Sequence, residues 1–599
     1  MRNPLEVWSF QDGFDGSSMA TVANRRKLAK GSKNQIVTGN GKLQAAKEPV
    51  LIVGQTGSLY LTNAGEGFAG LGSYGDSAVL GSVFRVLSAL FFVGNGVLRY
   101  DGQTVGASAA SILQLKLLAS GSYGGATYQA GLSQPSAPTI ASLSTLGGFE
   151  GKNKAGTYSI KINKVRSATG ARSLASLMSN VVTVTEWGGV GQSIRVTFPA
   201  IGGNGADRWG VYGSPRNFGS TGNHYLIREV AESDLTTIDG VPRSIEIEWT
   251  DGDLVGQPLA PIDSFPPPAA VFGGVLGDSV FLDGCWGDTV SGVSAGAPGS
   301  TGVISLPLRP EEFPPEWMYY PPEPPTALLR GGDGFYYRFG KSSMGVISNV
   351  GGEPPIAFSL VWASTGISYA HNAVVGTGGR LYAKAGKRGL VRIGEGGEPE
   401  TLWSAPVSDI VVDWNDENTV LGWDFDSHTL VAMNEKTLLC YNEQLDKWGA
   451  PVDLSAHLPG KVCAAVTVAN HLIIAALDTA AMTIRLYRYN EGAGLEMVAA
   501  SDWHFTAGES DLIRQISVWM RADSTNNVTL DIFADEDDST PRLTRTLTPP
   551  KTGIVQLPDI RVALPNVRSF MVRLAQQTAG LDSGFEKVEV SGTSRLINT

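Results

Sequence analysis

The chain has 599 residues and a net charge of −11, too long for one compact core and too acidic to coat DNA by neutralising phosphates. Glycine (74) and proline (32) supply many turns without the strict period of collagen. Cys285, Cys440 and Cys463 are far apart and odd in number, so no disulfide framework and no CxxC zinc pair is implied.

Charged residues make up only 17% of the chain, which suits either a surface partly covered by neighbours or a β-protein with Ser/Thr/Gly-rich loops. The start, MRNPLEVWSF, has no basic stretch followed by an apolar run, so no signal peptide is expected and folding in a cytoplasm is. Residues 1–47 are taken as an N-terminal docking segment. Its RRKLAKGSK (25–33) is the one dense basic cluster. With no interleaved aromatics for base stacking, Arg25, Arg26, Lys27 and Lys30 fit contact with an acidic partner or plain solvation better than DNA binding.

Residues 48–131 read as first propeller blades. EPVLIVGQTGSLYLTN (48–63) and SALFFVGNGVLRYDG (88–102) each give strand, turn, strand, the second through an Asn-Gly turn. VFRVLSALFFVG (83–94) is too short to cross a bilayer and carries Arg85, so no membrane span is expected. SAASILQLKLLAS (108–120) fits strand alternation nearly as well as a helix.

Residues 132–268 change character. TYSIKINKVRS, NVVTVTEW, QSIRVTFPA, DRWGVYGSPRN, HYLIREVAES and RSIEIEWTDGD alternate with period two, and Trp209 followed by Val-Tyr suits the central strand of a fibronectin- or immunoglobulin-like sandwich. DSFPPPAA (263–270) closes the segment.

Residues 269–500 return to blade-like units. AAVFGGVLGDSVFLDG (269–284) is followed by EEFPPEWMYYPPEPPTALLR (311–330). There the prolines enforce an extended path carrying Phe313, Trp317, Met318, Tyr319 and Tyr320. Such aromatics pack across their own propeller or grip a neighbouring subunit, with the second favoured. Further on, SDIVVDW, TVLGWDF, TLVAM and TLLCYN read as four short strands before a tryptophan-bearing exit, one blade by length and turn spacing. Residues 372–404 and 462–490 share this layout. Residues 501–599, with QISVWMRA, NVTLDIFAD and FMVRLAQQ, read as a separate β-sandwich. The expected fold is thus all-β: a propeller of four-stranded blades with an inserted fibronectin-like sandwich and a C-terminal sandwich.

Chemistry is sparse. WDFDSH (423–428) spaces Asp424, Asp426 and His428 by two, the one-face arrangement that an acid/base pair or metal site needs on a strand. The same residues favour chain reversal, and a turn is the stronger reading. ADEDDST (534–540) lacks the spacing and glycine of a calcium loop and reads as a hairpin tip. GTGGR (376–380) and GEGGEP (394–399) are turns outside any strand–GxGxxG–helix setting. No catalytic residue, metal site or cofactor is expected.

The combined layout resembles the tail nozzle (tail tube, or tail accessory) proteins of short-tailed bacteriophages: NRRKLAKGSKNQIVTGNGKLQAAKEP leading into blades, an insertion with RWGVYGSPRNFG and HYLIREV, blades of the type TLVAMNEKTLLCYNEQLDKWG, and a terminal sandwich. The resemblance implies a non-enzymatic virion protein of the tail, assembled in the host cytoplasm as a homohexameric ring below the portal and adaptor proteins. Genome DNA would pass through its channel, and tail fibres or spikes would attach outside. Six copies at −11 each would present a wall to which DNA does not stick. The competing readings are a propeller that binds or degrades glycans, for which Asp424 and Asp426 would be the carboxylates, and a cell-surface propeller that binds a ligand.

Overall fold

The computed structural model describes residues 4–8, 32–37, 43–51, 59–61, 68–70, 79–80, 82–86, 89–93, 98–100 and 118–119. It then describes 128–596 apart from 144–151, 187–189, 203–204, 287–298, 332–333, 364–365, 394–398, 469–470, 479–482, 502–503, 506–508, 524, 536, 538 and 577–582. The protein is all-β and propeller-like, built of small antiparallel sheets. It divides into two units, one of residues 1–68, 326–344 and 361–599, the other of 69–325 and 345–360.

In the first unit, three consecutive up-and-down sheets carry the blade pattern. The first runs Ala373–Val375, Leu381–Lys384, Leu390–Ile393, Pro399–Glu400; the second runs Thr419–Asp424, Thr429–Asn434, Thr437–Asn442, Lys447–Trp448. Glu435 and Lys436 form the two-residue turn between Asn434 and Thr437, with Glu435 at φ 54°. Strands of the second sheet are buried on both faces, which is why they read as continuous apolar runs rather than alternating ones.

Alternate residues go to two different cores. Leu421, Trp423, Leu430, Ala432, Leu439 and Tyr441 join Tyr382 and Leu390 of the first sheet. Val420, Val431, Met433, Leu438 and Cys440 join Val462, Leu472 and Ile474 of the third. At roughly 1.5–3 kcal/mol per buried large apolar side chain, this face-to-face stacking is the main favourable contribution to the sheet. Gly422 sits where the second and third sheets approach: a Cβ there would lie 2.8 Å from Leu472 and 3.0 Å from Ala465.

The third sheet runs Val462–Val468, His471–Asp478, Thr483–Arg488, and its fourth strand is Val50–Leu51. An early strand therefore completes a late sheet. Nearby, Gln35 Nε2 donates to the Val498 carbonyl (2.7 Å) and Asn34 Nδ2 to that of Glu496 (2.6 Å). The amide of Asp453 donates to Asn34 Oδ1 (2.8 Å).

The C-terminal sandwich has the expected alternation. Glu509–Ala522 and Gly584–Leu596 pair along their length, with Pro4–Trp8 added at the edge beside Gly584–Leu596. Opposite lies the sheet Met497–Ala500, Ser569–Gln576, Val528–Ala534, Leu543–Leu547. Val528, Leu530 and Ile532 point inward while Thr529 and Asp531 do not. The described parts of 1–47 pair with strands of their own chain: Pro4–Trp8 with Gly584–Leu596, Gln35–Val37 with Leu43–Ala45, and Lys33 with Val498.

One strand is corrected. SDIVVDW is not the first strand of a blade: 402–407 is a 3₁₀ stretch and Ser408–Val411 a helical turn. Val407, Ile410, Val411 and Trp414 fall at i, i+3, i+4 and i+7, and all four pack on the core shared by the first two sheets, so one helical face wins over β-propensity. The fourth strand of that blade is instead Lys447–Trp448, the tryptophan-bearing exit.

The second unit holds the sheet Ser82–Val86, Ala89–Val93, Arg99–Tyr100, Tyr128–Gln129 and the sheet Phe272–Leu276, Ser279–Asp283, Gly302–Ile304, Met318–Tyr319. Phe91, Val93, Val280, Leu282 and Phe313 share one core between them. The insertion is a sandwich: Thr139–Leu143, Ser193–Thr197, Val241–Ile247 and Thr236–Ile238 form one sheet, and Ile160–Val165, Arg208–Gly213 and Tyr225–Ala231 another. Trp209 is buried at its centre, and its indole N–H donates to Glu232 Oε2 (2.6 Å).

Candidate functional site

The residues singled out in the sequence go to separate places. Thr419–Asp424 ends at Asp424 and the chain reverses through 425–428, with His428 at φ 50°. Asp424 accepts from the Ser427 hydroxyl, Asp426 lies 2.9 Å from His471 Nδ1, and His428 Nδ1 pairs with the Thr377 hydroxyl (2.9 Å). The three polar groups of this turn therefore hold three different partners. Burial raises the carboxyl pKa of Asp424, opposed by the Ser427 hydrogen bond and reinforced by the charge of Asp426.

Asp535 sits at a hairpin tip with φ 56° and pairs with Arg542, while Asp537 accepts from the Ser539 amide (3.0 Å). Among the described residues no group of three or more His, Cys, Asp or Glu side chains is placed to hold a metal. GTGGR forms a 3₁₀ turn with Gly378 at φ 69°. Arg25, Arg26, Lys27, Lys30 and most of GEGGEP lie outside the described residues.

The proline-rich aromatic segment of the second unit does not run fully extended; it turns at 314–317, where the Trp317 amide donates to the Pro314 carbonyl (3.1 Å). Met318–Tyr319 then pairs with Gly302–Ile304. Phe313 and Tyr319 are buried within the unit, and the Tyr319 hydroxyl donates to the Leu282 carbonyl (3.3 Å). Tyr319 also stacks on Phe358 at 6.3 Å. Trp317 and Met318 are half-buried, and Tyr320 is 73% exposed. Of the five, Tyr320 presents the most surface to a neighbour.

The same segment opens with two buried carboxylates. Glu311 pairs with Arg166 of the sandwich, both about 1% exposed, and accepts from the Gly131 amide (2.7 Å). Glu312 accepts from the Arg172 amide (2.8 Å) and the Ser264 hydroxyl (2.6 Å); burial raises its pKa. These bonds tie the inserted sandwich to the segment that follows it.

A cavity of about 600 Å³ in the first unit has no counterpart in the sequence reading. Lys341, Ser368, Tyr369, Lys384, Gly386, Lys387, Val412, Trp414, Asn415 and Asp416 line it. Lys384 Nζ is held by Asp416 Oδ1 (3.0 Å) and the Gly386 carbonyl (2.7 Å), while Asp416 Oδ2 accepts from Ser368 (2.9 Å). Asn372 Nδ2 donates to the carbonyls of Asp416 and Thr419, both at 2.7 Å, fixing the loop that bears the carboxylate. Tyr369 stacks on His371 at 5.3 Å. Four separated segments converge here, which no local motif announces.

No family model matches the sequence, and no curated protein matches it. Similar solved structures include an exo-β-1,3-galactanase from Phanerochaete chrysosporium with galactose, 8% identical, TM-score 0.19, covering 53% of this chain and 94% of that one. YCF48 bound to D1 peptide is 10% identical, TM-score 0.26, covering 74% and 98%. A glycoside hydrolase family 43 arabinoxylan arabinofuranohydrolase from Bacillus subtilis in complex with cellotetraose is 10% identical, TM-score 0.16, covering 77% and 96%. At these values no activity, substrate or partner passes from them to this chain.

Proposed function

We propose that this chain is a structural subunit of a short-tailed phage tail, a ring-forming nozzle that acts through shape and charge. The observation that supports this reading most is the way the first unit is tied shut. Val50–Leu51 completes the sheet of Val462–Arg488, and Pro4–Trp8 edges the terminal sandwich. A sheet whose outer strand comes from more than 400 residues away cannot open by fraying one hairpin, which suits a part that must hold its form under load. In the assembled ring the acidic balance keeps the channel wall from adsorbing DNA, and Tyr320 meets a neighbouring subunit.

Mass measurement of the purified particle tests this. The expected result is six times the 63.2 kDa chain mass; a stable monomer that cleaves glycans overturns it. The second reading, a propeller that binds or degrades carbohydrate, is supported by the cavity at Trp414. For cleavage by Asp424 and Asp426 it requires that Asp424→Asn abolish glycan hydrolysis.

A further inference from the structure

We propose that the cavity bounded by Tyr369 and Trp414 binds a small acidic saccharide, a sugar bearing a carboxylate. This names the ligand class for the carbohydrate reading and does not depend on ring assembly.

The volume, about 600 Å³, lies within the range of small-ligand pockets, roughly 300–1,000 Å³. Its wall mixes two kinds of surface. Trp414 and Tyr369 contribute aromatic rings to the lining, and the C–H face of a sugar packs on such rings with little loss of side-chain entropy. Ser368, Asn415 and Asp416 offer hydroxyl-seeking polar groups between them. Ser368 and Asp416 bond to each other and Asn415 Oδ1 accepts from the Glu417 amide (3.0 Å), so a purely apolar ligand would leave only their remaining hydrogen-bonding capacity unused, and a bare inorganic anion would leave the aromatic rings unused.

The charge selects an acid. Three lysines line the cavity against one carboxylate, in a chain whose net charge is −11. Asp416 is already taken up by Lys384 and Ser368. Lys384 is only 2% exposed, and an ammonium has three donors; with Asp416 and the Gly386 carbonyl holding two, the third remains for a ligand. Lys341 and Lys387 are exposed and make no ion pair among the described residues. Asp413 and Glu417 neighbour Trp414 and Asp416 in sequence but do not line the cavity. The wall is also pre-formed, since Asn372, Asp416 and Lys384 fix one another before any ligand arrives, which lowers the entropy cost of binding. A nucleotide shares a flat face, hydroxyls and negative charge, so it serves as the competing probe in the titration below.

The test is calorimetric titration of the full chain with a glucuronate-containing oligosaccharide, its carboxyl-reduced neutral analogue, and adenosine monophosphate. Binding of the acidic sugar, weakened about tenfold or more on loss of its carboxylate and weakened by added salt, is expected. Lys341→Ala/Lys387→Ala should cut affinity by about tenfold, and Trp414→Ala should abolish it. Because Trp414 also touches the core, the double lysine variant, at exposed positions, keeps the test decisive if the tryptophan variant misfolds. Equal binding of the neutral sugar, tighter binding of the nucleotide, no change in the double variant, or no binding of any probe overturns the proposal. Particle mass, measured on the same samples, reports separately on the ring.

Discussion

The blade of residues 419–448 and the inserted sandwich of residues 139–247 bury strands of similar length in different ways. In the blade, Leu430 and Val431 are both fully buried, on opposite faces, because a neighbouring sheet stacks on each. In the sandwich, Val241–Ile247 buries Ile247 while Glu246 is exposed, because one face meets water. The blade therefore depends on its neighbours for nearly all its residues, whereas the sandwich carries its own core around Trp209. Stability in the first case is a property of the stack, and in the second of the domain.

Removing residues 1–51 should have the largest effect, because it strips the closing strand of one sheet and the edge of another. Limited proteolysis should then cut throughout residues 361–599 while 139–247 survives; equal survival of both would break the contrast. Next, Glu311→Ala takes away the carboxylate that faces buried Arg166 and should cost about 3–5 kcal/mol. Chemical denaturation followed by tryptophan fluorescence should report it.

Acidification acts on the inserted sandwich through His224. Burial lowers the His224 pKa to about 4, with the charge of Lys161 adding to it. The unfolded chain takes up this proton near pH 6.5 and the folded chain does not until about pH 4. The stabilisation is therefore complete above pH 6.5 and lost as pH falls towards 4, by up to about 3 kcal/mol. A pH series of calorimetric scans should show it, and His224→Gln should flatten the slope. Smallest, Gly422→Ala pushes a methyl group against Leu472 and Ala465 and should cost about 1–3 kcal/mol, whereas Glu246→Gln on the wet face should stay within about 0.5 kcal/mol. Similar losses from both would mean that the two regions are buried alike.

Much of this contrast was legible in the residues. Apolar runs bounded by NEK and DSH mark the blade hairpins, and clean alternation marks both sandwiches. The helical turn at Ser408–Val411 is masked in the sequence because Val-Val carries strong strand propensity, while the i, i+3, i+4, i+7 spacing of Val407, Ile410, Val411 and Trp414 spans barely two turns. Pairing of Leu51 with Tyr487 leaves no trace in any window, since nothing local distinguishes an edge filled by a neighbour from one filled by a distant segment. The cavity was invisible for the same reason: Lys341, Tyr369, Lys384 and Trp414 become neighbours only through the fold. The turn reading of Asp424–His428 did follow from composition, because Asp, Ser and His tolerate reversal.

The partnership of Val50–Leu51 with Thr483–Arg488 also sets a clock. At about 5–20 residues per second on the ribosome, the early strand waits on the order of tens of seconds for its mate to be synthesised. During that interval residues 139–247 have every partner they need and can fold, while the apolar strand near residue 50 stays unmatched and open to capture by chaperones or by other nascent chains. Slower translation would lengthen that vulnerable wait, so yield of soluble protein should depend on elongation speed through the second half of the message.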